Sequence, residues 1–105
     1  MMRSNMFRDA RNNWNMESVI EHKGHTVKVL TVKRSNGCLV TTCNVGKTYG
    51  TFFTFTGFQD FSTTLMTTSP KRITERVVEN QHDEVMAKKP ELLEAIDAFY
   101  AKLDV

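Results

Sequence analysis

Residues 26–45 read TVKVLTVKRSNGCLVTTCNV, two stretches rich in β-branched residues with an Asn-Gly pair between them. Alternation of apolar and polar side chains with a period of two is typical of a strand with one buried face. Asn36 and Gly37 both tolerate a positive φ, and such a pair is the strongest short-range signal for a β-hairpin. This segment therefore predicts two antiparallel strands, at residues 26–33 and 38–45, joined by a tight turn.

Further strands are predicted on both sides of this hairpin. Residues 19–22 precede it, and Gly24 can adopt the positive φ that a tight connection requires. After the hairpin, Gly46 and Lys47 form another compact turn, and residues 48–56 are rich in Thr and aromatic side chains, which favour strands. The sequence therefore predicts a meander of four antiparallel strands.

The two ends of the chain have different patterns. Residues 1–16 are rich in Asn, Arg and Met, and we expect a basic N-terminal arm or a short helix there, with residues 17–105 forming a single α+β domain. Ser69 and Pro70 predict the start of a helix, as the N-cap and the first helical residue. Pro90 interrupts the apolar stripe that follows, which predicts a kinked helix or a helix pair packed on one face of the sheet.

Composition and charge place the chain among ordinary globular proteins. Its 105 residues, 40% of them hydrophobic and 25% charged, suffice for one core and are too few for two. A formal net charge of +2 allows an anionic partner without requiring one. The sequence shows neither an apolar run long enough to span a bilayer nor a signal-peptide pattern, so we expect a cytoplasmic protein that does not bind membranes.

The predicted sheet carries apolar side chains on both of its faces. Because one layer of helices covers only one face, the second face needs another partner. We therefore expect a non-catalytic interaction module that associates with itself as a homodimer or with another protein. The expected interaction face consists of Leu30, Val32, Val40, Phe52, Phe58 and Phe61.

Binding of single-stranded nucleic acid is the alternative function. Aromatic side chains can stack bases while nearby cations neutralise phosphates. The predicted order, four antiparallel strands and then a kinked helix, is similar in outline to the single-strand-binding modules of certain transcriptional coactivators and of Whirly proteins, a similarity of topology that does not fix function. The residues expected to bind nucleic acid are Arg34, Lys47, Tyr49, Phe52 and Arg72.

Metal and phosphate motifs are incomplete in this sequence. Gly46, Lys47 and Thr48 lack the upstream glycine of a phosphate-binding loop, so they indicate a turn. The pairs His22 with His25 and Cys38 with Cys43 have odd spacings on extended chain, which sends the two side chains of each pair to opposite faces. We therefore expect no metal site and no disulfide between the two cysteines.

Catalytic motifs are also incomplete. Glu79 and His82 have the spacing of a di-iron helix motif, but no second motif accompanies them, and His82 is expected on the solvated face of its helix. No nucleophile has a recognisable setting, so no catalytic residue and no cofactor are expected. A further alternative is a small-ligand-binding protein with a pocket between sheet and helix, lined by Phe53, Phe55 and Phe99.

Overall fold

A computed structural model describes residues 2–47 and 61–103. In these ranges five antiparallel strands precede two helices, so the chain has the α+β class that its sequence predicted. The strands lie side by side in the order β1-β2-β3-β4-β5. The elements are β1 (Met2–Arg8), β2 (Trp14–His22), β3 (His25–Lys33), β4 (Leu39–Lys47), β5 (Phe61–Thr68), α1 (Glu75–Met86) and α2 (Lys89–Leu103).

The hairpin of β3 and β4 confirms the strongest signal in the sequence. Its last pair places Lys33 opposite Leu39. In the turn, the backbone N–H of Arg34 donates to the carbonyl oxygen of Cys38 at 2.8 Å, and the N–H of Gly37 donates to the carbonyl of Arg34 at 3.0 Å. Gly37 has a φ of 86°, a conformation in which any side chain is strained.

The N-terminal segment forms a strand, so the expected basic arm or short helix is wrong. β1 pairs with β2 over its whole length, from Met2 opposite Ile20 to Arg8 opposite Trp14. The segment has few residues with strong strand propensity. Hydrogen bonding to a neighbouring strand and side-chain packing override such local preferences, and neither can be read from the segment alone.

The strand predicted at residues 48–56 lies outside the described residues. The strand that pairs with β4 in the described residues is β5, which begins at Phe61, beyond the predicted strand. The pairing of β4 with β5 shifts between Thr41 and Thr42. Such an irregularity breaks the period of two, and the consecutive residues Leu65 and Met66 both pack against the core. The sheet therefore has five strands in the described residues instead of the four predicted.

Helix α1 begins later than expected. Ser69 and Pro70 precede it, and Thr74 is the N-cap instead, with extended backbone and a side-chain oxygen that accepts a hydrogen bond from the N–H of Val77 at 3.3 Å. Pro90 lies in the first turn of α2, where a missing N–H costs nothing. The structure therefore has the helix pair of the two predicted alternatives. Within residues 2–47 and 61–103, neither helix is long and apolar enough to cross a membrane.

The core lies between the two helices and one face of the sheet, which we call the inner face; the opposite face is the outer face. Strands β3 and β4 supply its centre through alternate Val and Cys side chains. Helix α2 reaches the core through Ile96, which has no exposed surface. The buried cluster consists of Ile20, Val27, Val29, Cys43, Val45, Val85 and Ile96.

Replacing Ile96 with alanine tests the docking of α2. The substitution removes a fully buried side chain and leaves a cavity, so we expect the free energy of unfolding to fall by about 2–5 kcal/mol in urea denaturation. Glu94→Ala is the matched control on the exposed side of the same helix, and its effect should stay within about 0.5 kcal/mol. Equal small effects of both substitutions would show that α2 does not pack on the sheet.

Candidate functional site

A hydrogen-bonded row of hydroxyl groups crosses the inner face of the sheet beneath α1. Each of the five strands contributes one hydroxyl, and α1 contributes an amide and an imidazole that connect them. We call this set the hydroxyl row. Its members are Ser4, Ser18, Thr31, Thr41, Thr68, Gln81 and His82.

His82 is the centre of the hydroxyl row. Its Nε2 lies 2.7 Å from Ser18 Oγ, and its Nδ1 lies 2.9 Å from Thr31 Oγ1. Ser18 Oγ continues to Ser4 Oγ at 2.7 Å, and Thr31 Oγ1 continues to Thr41 Oγ1 at 2.7 Å. Of these residues, all but Ser4 have no exposed surface. The imidazole therefore uses both ring nitrogens within the protein.

The hydrogen bonds of the Gln81 amide show which hydroxyl donates and which accepts at each contact of the hydroxyl row. Its Nε2 donates to the carbonyl oxygen of Leu39 at 3.0 Å and to Thr41 Oγ1 at 3.1 Å, and its Oε1 accepts from Thr68 Oγ1. Thr41 then has its own proton free to donate toward Thr31, which in turn donates to Nδ1 of His82. This order assigns the tautomer of His82 that carries its proton on Nε2.

Burial lowers the pKa of His82 below its ordinary value, with a smaller opposing effect from the carboxylate of Asp83. The geometry of the row acts in the same direction. A second proton on Nδ1 would point at Thr31 Oγ1, and the Thr31 and Thr41 hydroxyls would have to reverse. The hydroxyl row is therefore complete only when His82 is neutral.

The pair of Ser18 and His82 has the spacing of a nucleophile and its general base. Ser18 has no exposed surface, however, and Nδ1 of His82 faces the hydroxyl of Thr31, where a catalytic triad has a carboxylate. No substrate can reach Ser18 Oγ in this arrangement. The hydroxyl row therefore has a structural role: its hydrogen bonds connect α1 to all five strands.

A second group of polar residues lies at one end of the sheet, which we call the basic end. The β1–β2 connection, the β3–β4 turn and the segment from β5 to α1 meet there around a cavity of about 330 Å³. The cavity is lined by Asn12, Asn13, Trp14, Lys33, Gly37, Pro70, Lys71 and Ile73. The cations of these three segments are Arg8, Arg11, Lys33, Arg34, Lys71 and Arg72.

Asp9 is the only carboxylate that the sequence places in the three segments of the basic end, residues 8–14, 33–38 and 69–74. Its Oδ1 accepts hydrogen bonds from the backbone N–H groups of Arg11 at 2.9 Å and Asn13 at 3.0 Å, and its Oδ2 accepts from Asn15 Nδ2 at 3.1 Å. These hydrogen bonds hold the pKa of Asp9 below its usual range, and the bond from the backbone N–H of Asn13 has the largest effect. The carboxylate thus shapes the turn.

Arg8 and Trp14 form a stacked pair beside the cavity. The guanidinium carbon of Arg8 lies 4.3 Å from the centre of the Trp14 ring, and Arg8 Nη1 donates to Asn12 Oδ1 at 2.8 Å. Asn12 has a φ of 63°, which asparagine tolerates better than most residues. The turn therefore holds a planar cation and a planar aromatic ring together at the basic end.

The opposite end of the sheet contacts α2. His22 Nε2 lies 2.8 Å from Asp97 Oδ1, and Lys23 Nζ lies 3.1 Å from Asp97 Oδ2. Hydrogen bonds from Lys23 and, to a smaller extent, from His22 lower the pKa of Asp97. The ring of His25 stacks on that of Tyr100 with 3.8 Å between centroids. These contacts fasten the β2–β3 turn to α2.

The residues expected to bind nucleic acid do not lie together. Arg34 and Arg72 belong to the basic end, whereas Lys47 ends β4 opposite His25, at the far end of the sheet. A nine-residue strand separates the two ends, roughly 27 Å of extended chain. Tyr49 and Phe52 lie outside the described residues.

The expected interaction face is only partly described. Leu30 and Val32 alternate with the core residues of β3, so they lie on the outer face, where both are half-buried. Val40, also on the outer face, is 8% exposed. Phe52 and Phe58 lie outside the described residues, and Phe61 begins β5 opposite Val45.

The remaining chemical expectations concern thiols and pockets. Both cysteines are free thiols; Cys43 is buried in the core, which raises the pKa of its thiol to about 11, and Cys38 is half-buried. Within residues 2–47 and 61–103, no cluster of three His, Cys, Asp or Glu residues could hold a metal ion. Of the predicted pocket residues, Phe99 lies on α2 and is half-buried, whereas Phe53 and Phe55 fall outside the described residues.

The expectation of a solvated His82 is wrong, because this residue is fully buried. A signal for its position exists in the sequence. Val78, Gln81, His82 and Val85 follow the i, i+3, i+4, i+7 spacing of a buried helical stripe, and all four are buried. The polar character of Gln81 and His82 concealed that stripe, and only the opposing strand hydroxyls make their burial favourable.

Comparison with known protein families, curated proteins and solved structures finds no match to this chain.

The pH dependence of stability tests the role of His82. Because its pKa is lowered in the folded protein, the unfolded chain binds the proton more readily, and stability falls as the pH drops below the ordinary value of 6.5. We expect a loss of up to about 1.4 kcal/mol per pH unit between that value and the folded pKa, measured by urea denaturation. The carboxylates Asp9 and Asp97 lose their contributions only near pH 4 and below.

His82→Leu is the comparison variant for this measurement. It lowers stability at pH 7.5, because Ser18 and Thr31 lose a buried partner, and it should remove the slope between pH 6.5 and 5. A leucine variant that keeps the slope of the unmodified protein would show that another group causes it.

Proposed function

We propose that the protein is a non-catalytic module that binds single-stranded nucleic acid at its basic end. One observation carries the proposal: three connecting segments, whose sequences hold six cations and one carboxylate, meet around one cavity that Lys33 and Lys71 line. Asp9 accepts three hydrogen bonds within its own turn and attracts Arg11, so its single charge offsets only part of the positive charge. A ligand with several negative charges suits such a surface.

Phosphate groups fit the positions of the cations. Lys33 and Lys71 both line the cavity, from the end of β3 and from the segment that precedes α1. Arg34 and Arg72 follow them directly in sequence and are exposed. Neutralisation of successive phosphates by such a group releases counterions, which supplies most of the affinity in binding that is not sequence-specific.

The planar groups at the basic end favour a nucleic acid over other polyanions. The Arg8 guanidinium and the Trp14 ring are stacked, and both groups are able to stack on bases. Asn12 and Asn13 add side-chain amides at the cavity, which can donate to and accept from base edges. A concave cavity between turns suits unpaired bases better than it suits the grooves of a duplex.

This proposal revises the set of binding residues. Arg34 and Arg72 remain in it, and Arg8, Arg11, Lys33 and Lys71 join them because they lie on the same three segments. Lys47 lies at the far end of the sheet, so it is not part of the proposed site.

Fluorescence anisotropy with a labelled single-stranded oligonucleotide tests this function. We expect binding at about 50 mM salt that weakens strongly by about 200 mM. The double variant Lys33→Glu, Lys71→Glu removes two cations from the cavity, and the slope of log affinity against log salt should decrease by roughly 0.7 for each lost phosphate contact.

Lys88→Glu, Lys102→Glu is the matched control, because it changes the net charge equally at two exposed positions near the ends of the helices. It should leave binding nearly unchanged. Equal weakening by both double variants would indicate attraction to the overall charge, and absence of binding at low salt would reject the function.

Self-association through the outer face is the second candidate. It is supported by Leu30 and Val32, which are half-buried on the face that α1 and α2 leave uncovered. Sedimentation equilibrium should then detect a dimer that Leu30→Lys dissociates, because a charge would be buried at its centre. Glu79→Lys on the exposed side of α1 should have no effect. A protein that stays monomeric at high concentration would contradict this candidate.

A further inference from the structure

Strand β1 is an edge strand with a regular backbone and a central stretch without charge. Of the five described strands, β1 and β5 lie at the two edges of the sheet. Natural edge strands are usually protected by proline, by charged side chains and especially lysine, by a bulge or by very short length. β1 has neither proline nor lysine, its charged residues are Arg3 and Arg8, and its seven residues pair with β2 without a shift in register. It therefore presents a regular edge to a further strand.

We propose that a second copy of this chain pairs with β1, so that the two β1 strands run antiparallel about a two-fold axis at Asn5. The sheet of one copy would continue into that of the other, with the helices of both copies on the same side. This interface shares only Arg8 with the basic end and does not rest on the proposed nucleic-acid binding.

The sequence of β1 is complementary to itself in this register. A two-fold axis at Asn5 gives the fullest overlap of the strand and keeps inner-face residues opposite inner-face residues. Asn5 then lies opposite Asn5 of the second copy, Arg3 opposite Phe7, and Met2 opposite Arg8. No two arginines face each other, which matters because like charges directly opposite destabilise a strand pair.

The outer face beside β1 has room for an incoming side chain. A cavity of about 380 Å³ is lined there by Arg3, Ser4, Asn5, Glu17 and Val19. In the proposed register Phe7 of the second copy lies on the same face, directly opposite Arg3, so its ring would enter this cavity. An aromatic ring beside a guanidinium and the apolar Val19 is a favourable combination.

The inner face gains a contact as well. Among the large hydrophobic side chains of the described residues, only that of Met2 is well exposed, at 45%. In the dimer it lies opposite Arg8, whose guanidinium covers the ring of Trp14. Methionine packs well against aromatic and irregular surfaces, so pairing would bury the one large hydrophobic side chain that is exposed in the described residues.

Introducing a positive or a negative charge at Asn5 tests the proposed two-fold axis. Sedimentation equilibrium should show a concentration-dependent dimer for the unmodified protein. Asn5 is exposed, so Asn5→Lys and Asn5→Glu should both fold, and each should raise the dimer Kd by about fivefold because like charges then meet at the axis. An equimolar mixture of the two variants should recover a dimer at least as stable as that of the unmodified protein, through opposite charges at the axis.

Asn36→Lys in the exposed β3–β4 turn is the matched control and should leave the dimer unchanged. Far-UV circular dichroism checks that each variant is folded. The proposal is overturned if the unmodified protein is monomeric at all concentrations, if the Asn5 variants dimerise as well as it does, or if their mixture stays monomeric. Dissociation by Leu30→Lys alone would assign the dimer to the outer face instead.

Discussion

The fold depends on the contact of one neutral imidazole with two strand hydroxyls. His82 accepts from Thr31 through Nδ1 and donates to Ser18 through Nε2, and all three residues are fully buried. Each of these polar groups would be costly to bury alone. Together with Gln81 and Thr41 they satisfy one another's hydrogen-bonding groups. These hydrogen bonds form only when α1 lies at one position and one rotation on the sheet, so they fix the helix there.

The position of α1 also determines the basic end. Because Thr74 starts a helix that is held over the sheet, the segment before it passes the β3–β4 turn and brings Lys71 to the cavity that Lys33 lines. The Asp9 turn supplies the third side through its own hydrogen bonds. A polar network whose central residues are buried thus places the surface residues that we propose to bind a ligand.

Local signals predicted the elements whose structure is set by neighbouring residues. The Asn-Gly pair predicted the β3–β4 hairpin, and Pro90 predicted the break between α1 and α2. The prediction failed where a distant partner decides the structure: β1 is a strand because β2 lies beside it, and β5 carries an irregular register against β4 that hides its alternation. Pairing with another strand is a property of two segments, so neither segment reveals it alone.

The same distinction applies to the two polar sites. The sequence by itself determined the α+β class, the central hairpin and the helical character of the C-terminal part, because local propensity belongs to each residue. Only the tertiary structure decided that Arg34 and Arg72 share one end of the sheet while Lys47 lies at the other. It also decided that His82 is buried: an imidazole leaves water when hydroxyls from several strands meet it at hydrogen-bonding distance, and folding alone brings those strands together.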